Sequence, residues 1–247
     1  AQRARSLGAY VLLQRASGAI DGGRLAEADA HLAELPKDVV GRMERAEALV
    51  RGQLALRRGQ LDGARAACEE VLGSGSDLLD QSALGIQSDL ARGGLALVLS
   101  AQGEAARAER EAEAVLGSEL ATPQARAKAH LARALSLASA GELTRLGALL
   151  EQQRRLLARA TDASERVLVR ALARLVASPK QAVYRKPAQA TDGAESRFVA
   201  ALAPELAALA EPDPRGYAAE VPDGVEPPAK LALRSRRRGG VGFALVL

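Results

Sequence analysis

Four arginines stand in register along this chain. Arg15, Arg51, Arg133 and Arg170 each precede a small residue (Ala16, Gly52, Ala134, Ala171), and each lies eight residues ahead of Gly23, Gly59, Gly141 or Ser178. A guanidinium is a planar, permanently charged fork of N–H donors that grips carboxylates and phosphates in two-pronged fashion. Four of them on one surface would form a ladder for acidic or phosphorylated partner segments. The alternative reading places them on the polar edge of successive helices, with their alkyl stems lying over neighbouring elements.

The other reactive side chains are sparse. His31 and His130 lie on different predicted helices with no cysteine, histidine or paired carboxylate at metal-ligand spacing, so they read as surface histidines and no metal is implied. Cys68 is the only cysteine, which excludes an internal disulfide and a cysteine metal cluster. It falls on an apolar helical stripe and reads as a small buried hydrophobe. Asp21-Gly22-Gly23 and Gly93-Gly94 are not phosphate loops, because no strand precedes them and no Lys-Ser or Lys-Thr follows. Glu69-Glu70 and Glu109–Glu113 read as solvated helix faces. Catalysis needs a nucleophile or base, an orienter and a charge stabiliser converging on one point. No such set is visible, so the chain reads as a non-enzyme without a cofactor.

The elements that would carry the arginines are marked by a recurring phrase. A glycine is followed two residues on by an apolar residue and three further on by a packing residue: Gly23-Leu25-Ala28, Gly59-Leu61-Ala64, Gly103-Ala105-Ala108 and Gly141-Leu143-Leu146. The glycines are 36, 44 and 38 residues apart. Repetition at such a period marks stacked units that cannot bury their apolar faces alone. Ahead of Gly59, Met43, Ala46, Leu49, Val50 and Leu54 fall at helical spacing; after it, Leu61, Ala64, Ala67, Cys68, Val71 and Leu72 do the same. Each glycine therefore ends one helix in the left-handed conformation and the next helix runs back as the second arm of a hairpin. Leu35-Pro36, Gly73, Gly75 and Gly117 mark the ends of second arms. Thr122-Pro123 reads as a cap with proline in the first turn, and Asp162 with Glu165 as a capping box. The third unit replaces the arginine pair by Leu95-Ala96, and Arg170-Ala171 before Ser178-Pro179 predicts a degenerate fifth unit.

This pattern resembles the tetratricopeptide repeat (TPR). The small residue in the middle of the first helix is matched by Ala16, Gly52, Ala96 and Ala134. The turn is matched by Gly23, Gly59, Gly103 and Gly141, with Leu25, Leu61, Ala105 and Leu143 beside it, and the following small residue by Ala28, Ala64 and Ala108. Leu146 breaks the set, the periods exceed the family's usual length of about 34 residues, the large aromatics are replaced by Leu or Ala, and the closing proline is mostly missing. The resemblance covers residues 3–178. It implies an α-solenoid of four to five antiparallel hairpins, with partners held in the groove lined by first helices. The asparagine-based carboxylate clamp of some members is not expected, because the chain contains no Asn.

Composition agrees with an all-α chain. Apolar residues make up 48 % and aromatic residues 2 %, with no Trp, so the core must be built from Leu, Ala and Val. The absence of Asn and the preference for Arg over Lys fit a GC-rich bacterial coding sequence. The net charge of +4 is a property of the tail: residues 1–229 carry 29 basic and 30 acidic residues, while Lys230, Arg234, Arg236, Arg237 and Arg238 stand without an acid. A neutral body is a poor electrostatic footprint for nucleic acid, and no nucleic-acid partner is expected. Eight of the ten prolines follow Ser178. The expected organisation is a repeat domain over 1–178, a degenerate repeat or capping region over 179–210, and a proline-rich linker with a basic tail over 211–247. Within 179–210 one helix is predicted near Ala194–Ala210, with Phe198, Leu202, Leu206 and Leu209 on one face, which Pro204 either kinks or restarts.

These features predict a non-catalytic scaffold that binds a protein or peptide, with Arg15, Arg51, Arg133 and Arg170 as candidate partner-binding residues. The alternative is a sensory or regulatory segment of a larger signalling protein, a kinase or transcription regulator. In that reading basic residues before the apolar run Val241–Leu247 resemble the cytoplasmic flank of a membrane helix, and contact with the membrane runs through residues 230–247. A cytoplasmic location, at the membrane face in the second reading, is expected.

Overall fold

Each of the four phrase glycines has a left-handed backbone, with φ of +73°, +74°, +80° and +71° at Gly23, Gly59, Gly103 and Gly141. Around each, the same two hydrogen bonds close the preceding helix. The glycine N–H donates to the carbonyl three residues back (Ile20, Leu56, Ser100, Ala138), and the next N–H to the carbonyl five residues back (Ala19, Ala55, Leu99, Leu137), all at 2.8–3.2 Å. This is the Schellman arrangement, which satisfies carbonyls left without a partner at a helix end. The residue after the glycine then accepts the first bond of the returning helix, donated by Ala28, Ala64, Ala108 or Leu146. Four chemically equivalent turns thus follow from four phrases.

The computed structural model describes residues 2–37, 42–73, 81–177 and 194–209. Eleven α-helices are described: α1 (Gln2–Asp21), α2 (Leu25–Ala33), α3 (Arg42–Arg57), α4 (Leu61–Gly73), α5 (Gln81–Ala101), α6 (Ala105–Gly117), α7 (Pro123–Ser139), α8 (Leu143–Gln152), α9 (Arg154–Ala160), α10 (Ala163–Ala177) and α11 (Ala194–Leu202). A 3₁₀ helix follows over Pro204–Leu209, and no strand occurs among the described residues. Each phrase joins a packed pair: α1 with α2, α3 with α4, α5 with α6, α7 with α8. The first arms α1, α3, α5 and α7 also pack each on the next.

The buried apolar residues fall into three clusters. One cluster joins α1, α2 and α3 through Leu13, Ala16, Ile20, Ala28, Val50 and Leu54. A second joins α3 to α6 through Leu49, Cys68, Val71, Leu95 and Leu99, and the largest spans α3 to the 3₁₀ helix. Small residues mark the close approaches, as the register requires. Ala16, Ala96, Ala134 and Ala171 are buried on first arms, and Ala28, Ala64 and Ala108 on second arms. A Cβ added at Gly52 would lie 3.1 Å from that of Ala67. Leu146 fills the fourth position and is fully buried.

Polar residues link each pair to the next. Arg58 pairs with Asp29. Arg65 reaches Glu104, Arg107 reaches Glu69, and Gln102 donates to Asp62. Arg133 pairs with Glu109. Exposed pairs of this kind contribute only about 0.2–1 kcal/mol each, so they fix register more than stability. Arg126 donates to the carbonyls of Leu116, Ser118 and Ala121, which closes the end of α6. The cap at Thr122-Pro123 forms as read, with Thr122 accepting from the Ala125 N–H at 3.2 Å.

The fourth second arm differs from the sequence pattern, since it is divided at Gln153 into α8 and α9. The predicted turn at Ser178-Pro179, Gly75, and residues 211–247 with their basic tail all lie outside the described residues. No described helix is long and apolar enough to cross a membrane.

Candidate functional site

The registered arginines come to different surroundings. Arg15 is exposed on α1. Arg51 on α3 is held by Glu47 one turn back and by Glu70 of α4, both at 3.3 Å. Arg133 on α7 is held by Glu109 and Glu113 of α6. Arg170 is half-buried on α10. The acidic clusters read as solvated faces are thus the partners of two of the arginines. Where the third unit has the buried Leu95 in place of arginine, Arg92 one turn earlier pairs with Glu111.

His31 sits on α2 beside Glu27, and His130 on α7, where partial burial and the nearby Arg133 and Arg126 lower its pKa. Cys68 is buried between Gly52 and Gly94, and burial pushes its thiol up to about 12, too high for a nucleophile near neutral pH. Among the described residues no group of three His, Cys, Asp or Glu side chains could hold a metal ion.

The most concentrated chemistry lies elsewhere, around Arg57 at the end of α3. Its side chain is 4 % exposed and its Nη2 donates to Glu165 Oε1 at 3.0 Å. The same nitrogen pairs with Asp162. Lys128 of α7 donates to the same Glu165 oxygen. The Phe198 ring lies 4.6 Å from the guanidinium carbon, a cation–π contact. Glu165 also completes the predicted capping box: its Oε2 accepts from the Asp162 N–H at 3.2 Å, and its own N–H donates to Asp162 Oδ1 at 3.0 Å. One carboxylate therefore both starts α10 and neutralises two buried cations from other pairs.

Full burial works to raise the Glu165 carboxyl, but Lys128 and Arg57 outweigh it and hold it below its ordinary value. For Arg57 burial lowers the pKa, against the pull of Glu165 and Asp21. The Asp21 carboxyl, at the end of α1, is pushed up by partial burial despite Lys128 and Arg57 nearby. Nε and Nη1 of Arg57 are buried and have no hydrogen-bond acceptor among the described residues.

Phe198 belongs to a segment that lies across several first arms. The predicted helix near Ala194–Ala210 forms as α11 and stops before Pro204, which starts the 3₁₀ helix. Phe198, Leu202, Leu206 and Leu209 are all buried, joined by Val199 and Ala203. α11 packs on α10, and also on α3 and α5, so it reaches well beyond the last arm. Ala201 and the Arg197 carbonyl sit against the Gly59 turn, and Arg174 of α10 donates to the Leu209 carbonyl at 2.7 Å.

Sequence reasoning found Glu165 as a cap and the apolar face of 194–210, but not Arg57 or Lys128. A signal was present for Lys128, one of only five lysines, which interrupts the alanine-rich face of α7. Comparison with known proteins finds no matching family model, no similar curated protein and no similar solved structure.

Proposed function

We infer that this chain is a non-catalytic, tetratricopeptide-like helical-repeat module whose work is to hold a protein or peptide segment across its first helices. The observation that carries this reading is the seating of Ala194–Leu209. A short amphipathic segment, well separated in sequence, packs on α3, α5 and α10 through an unbroken apolar face. A surface that receives one such segment has the shape and chemistry to receive another, which is the helix-in-groove mode of recognition. The repeat register supports the same reading: four equivalent turns, with small residues buried at every predicted close approach.

Affinity capture with the intact chain from cells that express it, followed by cross-linking mass spectrometry, tests this. The reading predicts a retained protein whose cross-links map to α3, α5, α7 or α10. Cross-links confined to the second arms, or no retained protein, would end it.

A further inference from the structure

We propose that the outer stripe of α1 is a self-association face, covered by the same stripe of a second copy of this chain in a two-fold dimer. The proposal stands apart from the binding-module reading above, because it uses α1, where that reading places no contact.

Leu7, Val11, Gln14 and Gly18 follow one another at helical spacing along α1, and all four are exposed. Leu7 is 60 % and Val11 40 % exposed, and Leu120 is the only other exposed large apolar side chain among the described residues. The register of the glycine phrases carries this stripe onto α3, α5 and α7, and there none of its equivalents is exposed. On α3 they include Val50 and Leu54, which share a cluster with residues of α1 and α2. On α5, Gly94 stands in register with Gln14, and a Cβ added there would lie 3.3 Å from the Cys68 sulfur of α4. On α7, Ser136 stands in register with Gly18 and meets Ser100 of α5 at 3.1 Å. In each later unit, then, this stripe is where the preceding hairpin stacks. On α1 no described residue covers it. The outermost unit of a repeat array stays in water by presenting a polar face, and α1 presents leucine and valine.

The occupant must bring an apolar helix face, and α1 of a second copy is one. Leu120 lies in the turn between α6 and α7, so the described residues offer no other exposed apolar helix face for head-to-tail addition. The contact is therefore the same patch on both partners and closes on itself. The two helices fit large to small when they run antiparallel with Leu7 set against Gly18 of the second copy: no atom lies within 4 Å of a Cβ added at Gly18, so that position has room. The same alignment keeps the two Arg15 side chains from facing each other and opposes the helix dipoles. A 20-residue helix is about 30 Å long. One such face falls short of the roughly 800 Å² per partner of a standard stable interface, so the dimer is a weak one that forms in the micromolar range.

Sedimentation velocity of the full chain, from about 5 to about 500 µM, reads the association. The average mass should rise with concentration toward twice that of the monomer. Leu7→Ser combined with Val11→Ser should weaken association by about tenfold or more, with an unchanged thermal midpoint at the lowest concentration. Gly18→Gln, which the lone chain accommodates in open space, should weaken it by about fivefold or more. Leu120→Ser should leave it unchanged. A chain that is monomeric throughout, a dimer that survives the double substitution, or one that Leu120→Ser abolishes would overturn the proposal. A double variant that melts early would show Leu7 and Val11 to be core residues and overturn it too. Full association of the Gly18→Gln chain would overturn the antiparallel alignment. A monomer that instead retains a foreign protein on α1, lost in the double variant, would assign the face to that protein and overturn the second copy as its occupant.

Discussion

Arg57 and Glu165, 108 residues apart in the chain, meet at 3.0 Å in the interior, and each is nearly or fully removed from water. Neither charge could be buried alone. The pair is tolerable because Lys128, Asp162, the capping-box N–H and the Phe198 ring complete its surroundings. The contact therefore joins the end of α3 to the start of α10 in a way that apolar packing alone would leave unspecific.

Removing one member should be expensive. Glu165→Gln keeps the size of the side chain but leaves Arg57 and Lys128 without its charge, and should destabilise by about 3–5 kcal/mol. Urea denaturation of the single variant and of Glu165→Gln combined with Lys128→Met should show a combined loss smaller than the sum. Simple additivity would mean the two groups are not coupled.

The same carboxylate gives a signed pH dependence. Its pKa is lower in the folded chain than the ordinary 4.5, so the unfolded state binds a proton more readily. The stability it contributes is complete above that ordinary value and is lost as pH falls through the depressed native one. Denaturation midpoints between pH 6 and pH 3 should fall less steeply for Glu165→Gln than for the native chain. Parallel curves would contradict this.

Two glycines with similar left-handed φ should respond differently. Gly103→Ala meets only the left-handed penalty, about 1–2 kcal/mol, because no atom lies within 4 Å of the added Cβ. Gly59→Ala places that Cβ 2.7 Å from the Cβ of Ala201 and should be worse. Thermal melts of both, repeated in a Phe198→Ala background, should show the difference narrowing as α11 loosens.

Overpacking tests the register within a pair. Ala64 is buried where α4 crosses α3, and Ala64→Leu should destabilise by about 1–3 kcal/mol. Charge reversal at Arg51 should be much milder, under about 1 kcal/mol, because its pair with Glu70 is solvent-exposed, with Arg133, whose pair with Glu109 is partly buried, costing more. Any loss of partner capture larger than that, greatest at low salt, would mark these arginines as contacts rather than stitches. An Ala64→Leu chain that melts with the native one would show the pairing to be misaligned.

The turns were readable because a positive φ is a demand on a single residue, which glycine meets without steric penalty, and four glycines met it at matching places. The capping box at Asp162 and Glu165 was readable for a similar reason, since its partners are three residues apart. The burial of Arg57 was not. Its partners are brought by the start of α10 and by α11, and nothing within one turn of Arg57 distinguishes it from Arg58, which pairs with Asp29 at the surface. The seating of α11 was half readable: its apolar face is a local pattern, while the choice of α3 and α5 as well as α10 depends on tertiary packing between elements far apart in the chain. The division at Gln153 left no sequence mark that accounts for it.

A row of units that touch only their neighbours can melt from either end, one unit at a time. Here Arg57 is clasped by Asp162, Glu165 and Phe198, so everything from the second unit to the last arm is closed into a loop. Opening any unit inside that loop strains the clasp, and opening the clasp exposes the apolar faces of several units together. The helices α3 to α11 should therefore melt as one block, while α1 and α2, which lie before the clasp, fray first. Amide hydrogen exchange would then divide the described helices into a protected block and a single loose end.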